Sequence, residues 1–347
     1  MPPLPPATSA STPPPSPPIA SRVHVAILIA FSLLALFAPF VTPAIALALG
    51  IALGLLGISP LPTLQKNLSK VLIQTSIVLL GFTLSLAQVA LAGRAGLAFS
   101  TGAILLVLVV SELLARILKT DRPVATLLSA GTAICGGSAI ATTGQVIHAP
   151  AAAIALSTAI VFILNAVGVF AYPFIGRALG LNEHQFGAWC AVGVHDVAGV
   201  VAASADYMGS KVAQQDATVI KLIRVLWIVP VAFVLGHIHR KALSANGEQT
   251  HSAAKAPFPW FTVYFVLACL LRAGLDAALS DEKETIANIA SYVKLVASHL
   301  LSLALLLIGT GLTRKAIAVV GWKPALHGLV LWLIISAASL VAAKHLL

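Results

Sequence analysis

The chain has 347 residues, of which 59% are hydrophobic and only 9% charged, with a mean hydropathy of +0.99. Soluble domains carry about 25% charged residues, so this composition excludes an ordinary soluble domain and points to a multi-pass membrane protein. The formal net charge of +10 does not imply a nucleic-acid partner, because the basic residues are scattered over short loops rather than gathered with aromatics on one face.

Residues 1–21 are rich in Pro, Ser and Thr and lack an apolar run, which predicts a disordered cytoplasmic tail and no cleavable signal peptide. The remainder, 22–347, reads as a single transmembrane domain. A crossing needs roughly 20 mostly apolar residues. Eleven segments qualify: 23–40, 42–58, 70–91, 95–118, 124–147, 149–172, 185–207, 216–238, 258–280, 287–313 and 322–345. They are long and uniformly apolar, without the roughly 10-residue alternating segments of a membrane barrel. The expected fold is therefore all-α, a polytopic membrane bundle of about eleven spans. The fifth and seventh segments are rich in Gly, Ala and Ser, and interruptions are expected in both.

Charge placement tests that count. Arg22, Lys66, Lys70, Arg116, Lys119, Arg122, Arg177, Arg240, Lys241, Lys255, Arg314, Lys315 and Lys323 fall on one side; Arg94, Lys211, Lys283 and Lys344 fall on the other. This bias predicts a cytoplasmic N-terminus and an outer C-terminus. Cys135, Cys190 and Cys269 lie in apolar segments and imply neither a disulfide framework nor a zinc site. No cofactor is expected. The chain also lacks a Gly-x-x-x-x-Gly-Lys-Ser/Thr loop, so it is not by itself an ATP-driven pump.

Residues 131–144 read Gly-Thr-Ala-Ile-Cys-Gly-Gly-Ser-Ala-Ile-Ala-Thr-Thr-Gly. Such a run of small, helix-weakening residues inside a spanning segment suggests a discontinuous helix, because irregular backbone at membrane depth survives only around a cavity or inside protein. Close packing of an unbroken helix is the competing reading. In the seventh segment, His195 and Asp196 are central, where a charge costs about 2.5–3.5 kcal/mol. Lys221 and Arg224 share one helical face of the eighth segment, while Lys294 and His299 lie in the tenth. The three cations have long stems suited to snorkelling; Asp196 is short, so its structural alternative is an ion pair with Arg224 or Lys221. Asn165 is expected to hydrogen-bond between helices, and Arg272 to pair with Asp276 four residues on. Gly50-x-x-x-Gly54 permits close helix packing within a protomer or between two.

An internal match between 70–82 and 221–233 has a five-span offset, which predicts two inverted five-span halves after an extra first helix. A competing match relates the third and tenth spans. Several motifs in order, Cys135-Gly-Gly-Ser-Ala-Ile-Ala141, Tyr172-Pro-Phe-Ile-Gly176, Phe186-Gly-Ala-Trp189, His195-Asp196 before Val200-Val-Ala-Ala203, and Ala217-Thr-Val-Ile-Lys-Leu-Ile-Arg224 with Pro230, resemble the YeiH family of bacterial inner-membrane proteins. That family carries the label of sulfate exporters. The resemblance implies a distant similarity to the sodium/proton antiporter and bile-acid symporter superfamily, with inverted repeats and crossed discontinuous helices. Gly199 stands where the family pattern has a polar residue.

A half-helix starting near residues 135–138 would present free N–H groups and a positive dipole end, which favour an anion. Lys221, Arg224 and Lys294 outnumber Asp196, with the same sign preference. The expected function is a secondary transporter in the bacterial inner membrane that exports or exchanges a small, sulfate-like anion. Cys135, Gly136, Gly137, Ser138, Lys221 and Arg224 are the expected substrate residues, while His195 and Asp196 are expected to carry or gate the coupling ion, a proton or sodium. Membrane lipid is the other expected partner, with self-association left open. Two alternatives stand beside this reading: a cation exchanger centred on Asp196, and an intramembrane hydrolase using Ser138 or Cys135 with His195 as base.

Overall fold

The computed structural model describes residues 19–346 except 39, 85, 206, 246–257 and 280–281. The expected tail, up to residue 18, and Lys255 lie outside the described residues. Every regular element among the described residues is helical: α1 (Ile19–Phe37), α2 (Pro43–Leu55), α3 (Pro62–Phe82), α4 (Leu86–Leu118), α5 (Arg122–Ala133), α6 (Gly137–Val146), α7 (Ala151–Ala178), α8 (Glu183–Gly193), α9 (Val197–Ser204), α10 (Val212–Leu226), α11 (Ile228–Ala245), α12 (Trp260–Ala278), α13 (Lys283–Gly309), α14 (Arg314–Ala318) and α15 (Trp322–Leu346), with a short 3-10 turn at Tyr207–Gly209. Local chemistry sets several of these starts. Pro43, Pro62 and Pro123 occupy the first turns of α2, α3 and α5, where a missing N–H costs nothing. Asn182 and Gln185 form a reciprocal capping box on α8.

Among the described residues, six helices are long and apolar enough to cross a membrane, against the eleven crossings expected. They cover Gly96–Leu118, Ala151–Ala178, Val212–Ile238, Trp260–Ala278, Glu284–Gly309 and Trp322–His345. The difference has a physical cause. The fifth and seventh segments are divided into α5 (12 residues) with α6 (10) and α8 (11) with α9 (8), each piece too short to span alone. The second is only 13 residues long, and α3 carries Gln65, Lys66, Asn67 and Lys70 in its first half.

The helices group into two bundles. In one, α13 packs on α1, α2 and α3, and α12 packs on α3; the other contains α4 to α11 with α15. The first is closed by backbone-to-backbone contact. A Cβ on Gly50 would lie 2.2 Å from the Leu306 carbonyl oxygen, and one on Gly54 would lie 2.8 Å from that of Thr310. The Gly50-x-x-x-Gly54 spacing is thus spent inside the chain, where Gln65 also donates to the Thr310 hydroxyl at 3.1 Å. The bundles meet where α9 touches α2 and α13, and where α10 and α4 touch α12. Exposed apolar side chains such as Val109, Phe174, Phe233 and Leu333 coat the outside, a surface suited to lipid and not to water.

Candidate functional site

The stretch 131–144 is broken. α5 ends at Ala133, Ile134 departs from helical geometry (φ −121°, ψ −88°), and Gly136 takes φ 67°, ψ −124° before α6 resumes at Gly137. A positive φ with that ψ lies outside the regions open to side chains with a Cβ, so glycine at 136 permits the turn. The second interruption is extended: Val194 has φ −85°, ψ 128°, and Asp196 has φ −101°, ψ 162°. The two breaks meet. A Cβ built on Gly136 would lie 3.5 Å from the Cβ of His195 and 3.7 Å from its carbonyl carbon.

Four helix ends therefore converge, and their partners differ. Arg224, fully buried on α10, makes five hydrogen bonds to four main-chain carbonyls: Nε and Nη2 donate to Ala133, Nη2 also to Thr132 (3.2 Å), and Nη1 to Ala191 (2.9 Å) and Val192 (2.8 Å). Lys221, one turn earlier and also fully buried, donates to the carbonyls of Ala191 (3.3 Å) and Val194 (2.7 Å). These cations satisfy the C-terminal ends of α5 and α8, where unpaired carbonyls carry negative dipole charge. At the start of α9, one oxygen of Asp196 accepts from the Gly199 N–H, an N-cap. Its other oxygen accepts from the Asn165 amide at 2.9 Å, while the Asp196 N–H donates to the Asn165 oxygen at 3.0 Å. Neither Lys221 nor Arg224 forms an ion pair with Asp196, so the structural pairing considered for that carboxylate is with Asn165 instead.

The N-terminal end of α6 has a different character. Cys135, buried, and Ser138, exposed, lie beside it with their Sγ and Oγ 2.8 Å apart, and both are neutral polar groups. His195 is 2% exposed, yet neither ring nitrogen meets a hydrogen-bond partner in the protein, Ser138 and Cys135 included; the buried Thr132 hydroxyl is unpartnered as well. Buried polar atoms without partners are rare in folded proteins. Each helix end carries roughly half a charge. With Lys221, Arg224 and Asp196 ionised, the two ends of each sign cancel and the crossing keeps an excess of about one positive charge. Among the described residues, no group of three His, Cys, Asp or Glu side chains is placed to hold a metal ion.

The whole of this arrangement lies within a stretch of chain that similar proteins share. A family model described as conserved hypothetical protein 698 matches residues 20–344. Relatives named UPF0324 membrane protein match over most of their length: one from Porphyromonas gingivalis is 37% identical over 331 residues (92% of this chain, 95% of the relative). The chain belongs to the UPF0324 family of membrane proteins. Another member, from Bacteroides thetaiotaomicron, is 36% identical over 302 residues (87% of this chain, 86% of the relative). A third, from Geobacter sulfurreducens, is 37% identical over 313 residues (90% and 94%). The YeiH-type resemblance fits this family. No solved structure matches the chain.

In this UPF0324 chain, further side chains brace the crossing that sequence reasoning did not assign. Trp332 Nε1 donates to the Gly193 carbonyl at 2.7 Å, at the very end of α8. Tyr172 stacks on Trp189 with ring centroids 4.0 Å apart, and Ser336 joins them by accepting from Trp189 Nε1 through its carbonyl (2.8 Å) and by bonding the Tyr172 hydroxyl (2.5 Å). Tyr172 and Trp189 already stood out in the motifs; their common partner on α15 did not. His327, fully buried, bridges Ser111 (3.0 Å) and Thr120 (3.2 Å). A His near the start of an apolar terminal segment was the available signal for it.

Proposed function

We propose that this UPF0324 chain is a secondary transporter for a small anion, and that the crossing of the two interrupted helices is its solute-handling centre. The observation that carries the proposal is the inequality of the four helix ends. The C-terminal ends of α5 and α8 are neutralised by Lys221 and Arg224, and the N-terminal end of α9 by Asp196. The N-terminal end of α6 has the neutral Cys135 and Ser138 side chains beside it and no carboxylate cap, next to a histidine with two unpartnered ring nitrogens. An anion suits that end. In this reading the main chain at Gly136 and Gly137 and the Ser138 and Cys135 side chains form its wall, and His195 exchanges the coupling proton. Lys221 and Arg224 act as positioning residues that hold the crossing together, since their donors are directed at carbonyls. Asp196 caps α9, which weighs against the cation exchanger because both of its oxygens already accept hydrogen bonds.

The topology expected from the sequence counts each interrupted pair, and α10 with α11, as one crossing, giving eleven with a cytoplasmic N-terminus in a bacterial inner membrane. The interruptions then fall in the fifth and seventh crossings and run in the same direction. The two inverted five-span halves thus draw their support from the sequence match alone. Currents recorded on supported membranes test the transport reading: jumps of sulfate or sulfite are expected to evoke a saturable response that His195→Ala abolishes. A response to sodium jumps alone, with none to anions, would overturn it.

A further inference from the structure

Each interrupted segment turns back on itself. Along the first, a Cβ on Gly131 would lie 2.9 Å from the Ile140 side chain, and one on Gly144 would lie 3.6 Å from that of Leu127. Two helical pieces in line would hold Leu127 and Gly144 roughly 25 Å apart, so α6 lies antiparallel against α5. Along the second, the Cys190 thiol donates to the Val200 carbonyl at 3.9 Å. Tyr207, just beyond α9, stacks on Phe186 in the first turn of α8 with ring centroids 3.7 Å apart, and its hydroxyl donates to the Leu181 carbonyl at 3.1 Å. The chain thus leaves each pair on the side where it entered. Those two sides are opposite. His327, near the start of α15, bonds Thr120 just before α5, and α15 then runs beside α7 in the same direction: Gly328 meets Ile160, Ser336 meets Tyr172, and Lys344 donates to the Leu179 carbonyl at 3.4 Å. At that far end His184 of α8 pairs with Asp216 of α10 at 2.6 Å. A full crossing at each pair would instead put Leu179 and Lys344 on opposite faces, and likewise His184 and Asp216.

We propose that α5–α6 and α8–α9 are re-entrant hairpins that dip into the membrane from opposite faces and touch at their tips, and that α6 lines the entrance by which solute reaches those tips. The inference deepens the anion-transport reading and rests on it for the identity of the solute. The arms have a suitable length: 12 residues in α5 and 11 in α8 rise about 16–18 Å, roughly half of the ~30 Å hydrocarbon core. The charge bias survives, because removing two crossings leaves both termini on their expected sides and moves only Arg177 among the Lys and Arg residues. The arms differ in cover. Every residue of α9, Val197–Ser204, is buried, and that helix packs on α2, α7, α8, α10 and α13. On α6, Ser138, Ala141 and Gln145 are exposed along one face from tip to base. Polar groups at membrane depth need water or protein beside them, so this face is the open route, and it leads from the side on which α5 begins.

Single added cysteines test the arrangement. Ala151, Ala178, Lys211 and Ala141 are exposed, and the protein's own three cysteines are buried, so the parent supplies the background. A small membrane-impermeant maleimide is applied to sealed right-side-out and inside-out vesicles, and the labelled fraction is read by mass spectrometry of the intact protein. Ala178→Cys and Lys211→Cys are expected to react from one side, and Ala151→Cys and Ala141→Cys only from the other. All four variants are expected to elute as one monodisperse peak, which separates a labelling pattern from a loss of fold. If Ala151→Cys instead reacts with Lys211→Cys from one side and Ala178→Cys from the other, both segments cross and the proposal fails. It fails equally if Ala141→Cys is inert from both sides. The labelling does not depend on any solute. The expected pattern without an anion-evoked current removes only the transport reading, whereas such a current with the contrary pattern removes only the hairpins.

Discussion

Arg224→Ala should be among the most damaging single substitutions in the chain. The side chain is fully buried and makes five hydrogen bonds to four carbonyls at the ends of α5 and α8. Hydrogen bonds to a charged group contribute about 1.5–3 kcal/mol each, and five of them would sum to most of a typical protein's stability. The sum overshoots because burying the guanidinium itself costs several kcal/mol. Removing it returns that cost but leaves the carbonyls without donors, and breaking a buried charged contact in this way typically costs about 3–5 kcal/mol. That corresponds to a drop in Tm of roughly 4–7 °C for a chain of this length, measured by size-exclusion chromatography after heating in detergent. Arg224→Lys keeps the charge with fewer donors and should fall in between. A Tm for Arg224→Ala within about 2 °C of the parent would refute the view that this side chain holds the two helix ends.

Gly136→Ala places a Cβ on a backbone at φ 67°, ψ −124°, a strain of about 1–3 kcal/mol that should appear as a lower Tm. Asn165→Leu removes both hydrogen bonds to Asp196 and should cost about 2–4 kcal/mol; faster amide hydrogen exchange over residues 196–200 would report the loosened start of α9. Gly50→Leu drives a side chain into the Leu306 carbonyl, whereas Gly274→Leu meets open space. Only the former should broaden the elution profile; equal behaviour of the two would contradict the close α2 to α13 contact.

The interruption at 134–136 was legible because Gly131, Gly136, Gly137 and Ser138 weaken a helix wherever they occur. The inter-helix role of Asn165 and the Arg272 to Asp276 pair were legible for similar local reasons. The partners of Arg224 and Lys221 were not. They are main-chain carbonyls 27 to 92 residues away, and a carbonyl has no sequence signature, so two cations on one helical face read equally well as solute ligands. The span count suffered from the same limit. Composition marks an apolar segment but does not show that α2, α5 or α8 is too short to cross alone.

The central claim is that the crossing handles an anion. A proteoliposome panel tests it most directly by following sulfate, sulfite, sodium and luminal pH under imposed gradients, in the parent protein and in His195→Ala and Asp196→Asn. The account predicts saturable anion flux accompanied by proton movement in the parent, and no anion flux in His195→Ala. Absence of anion flux, together with dissipation of a sodium or proton gradient that disappears in Asp196→Asn, would contradict it and favour the cation exchanger.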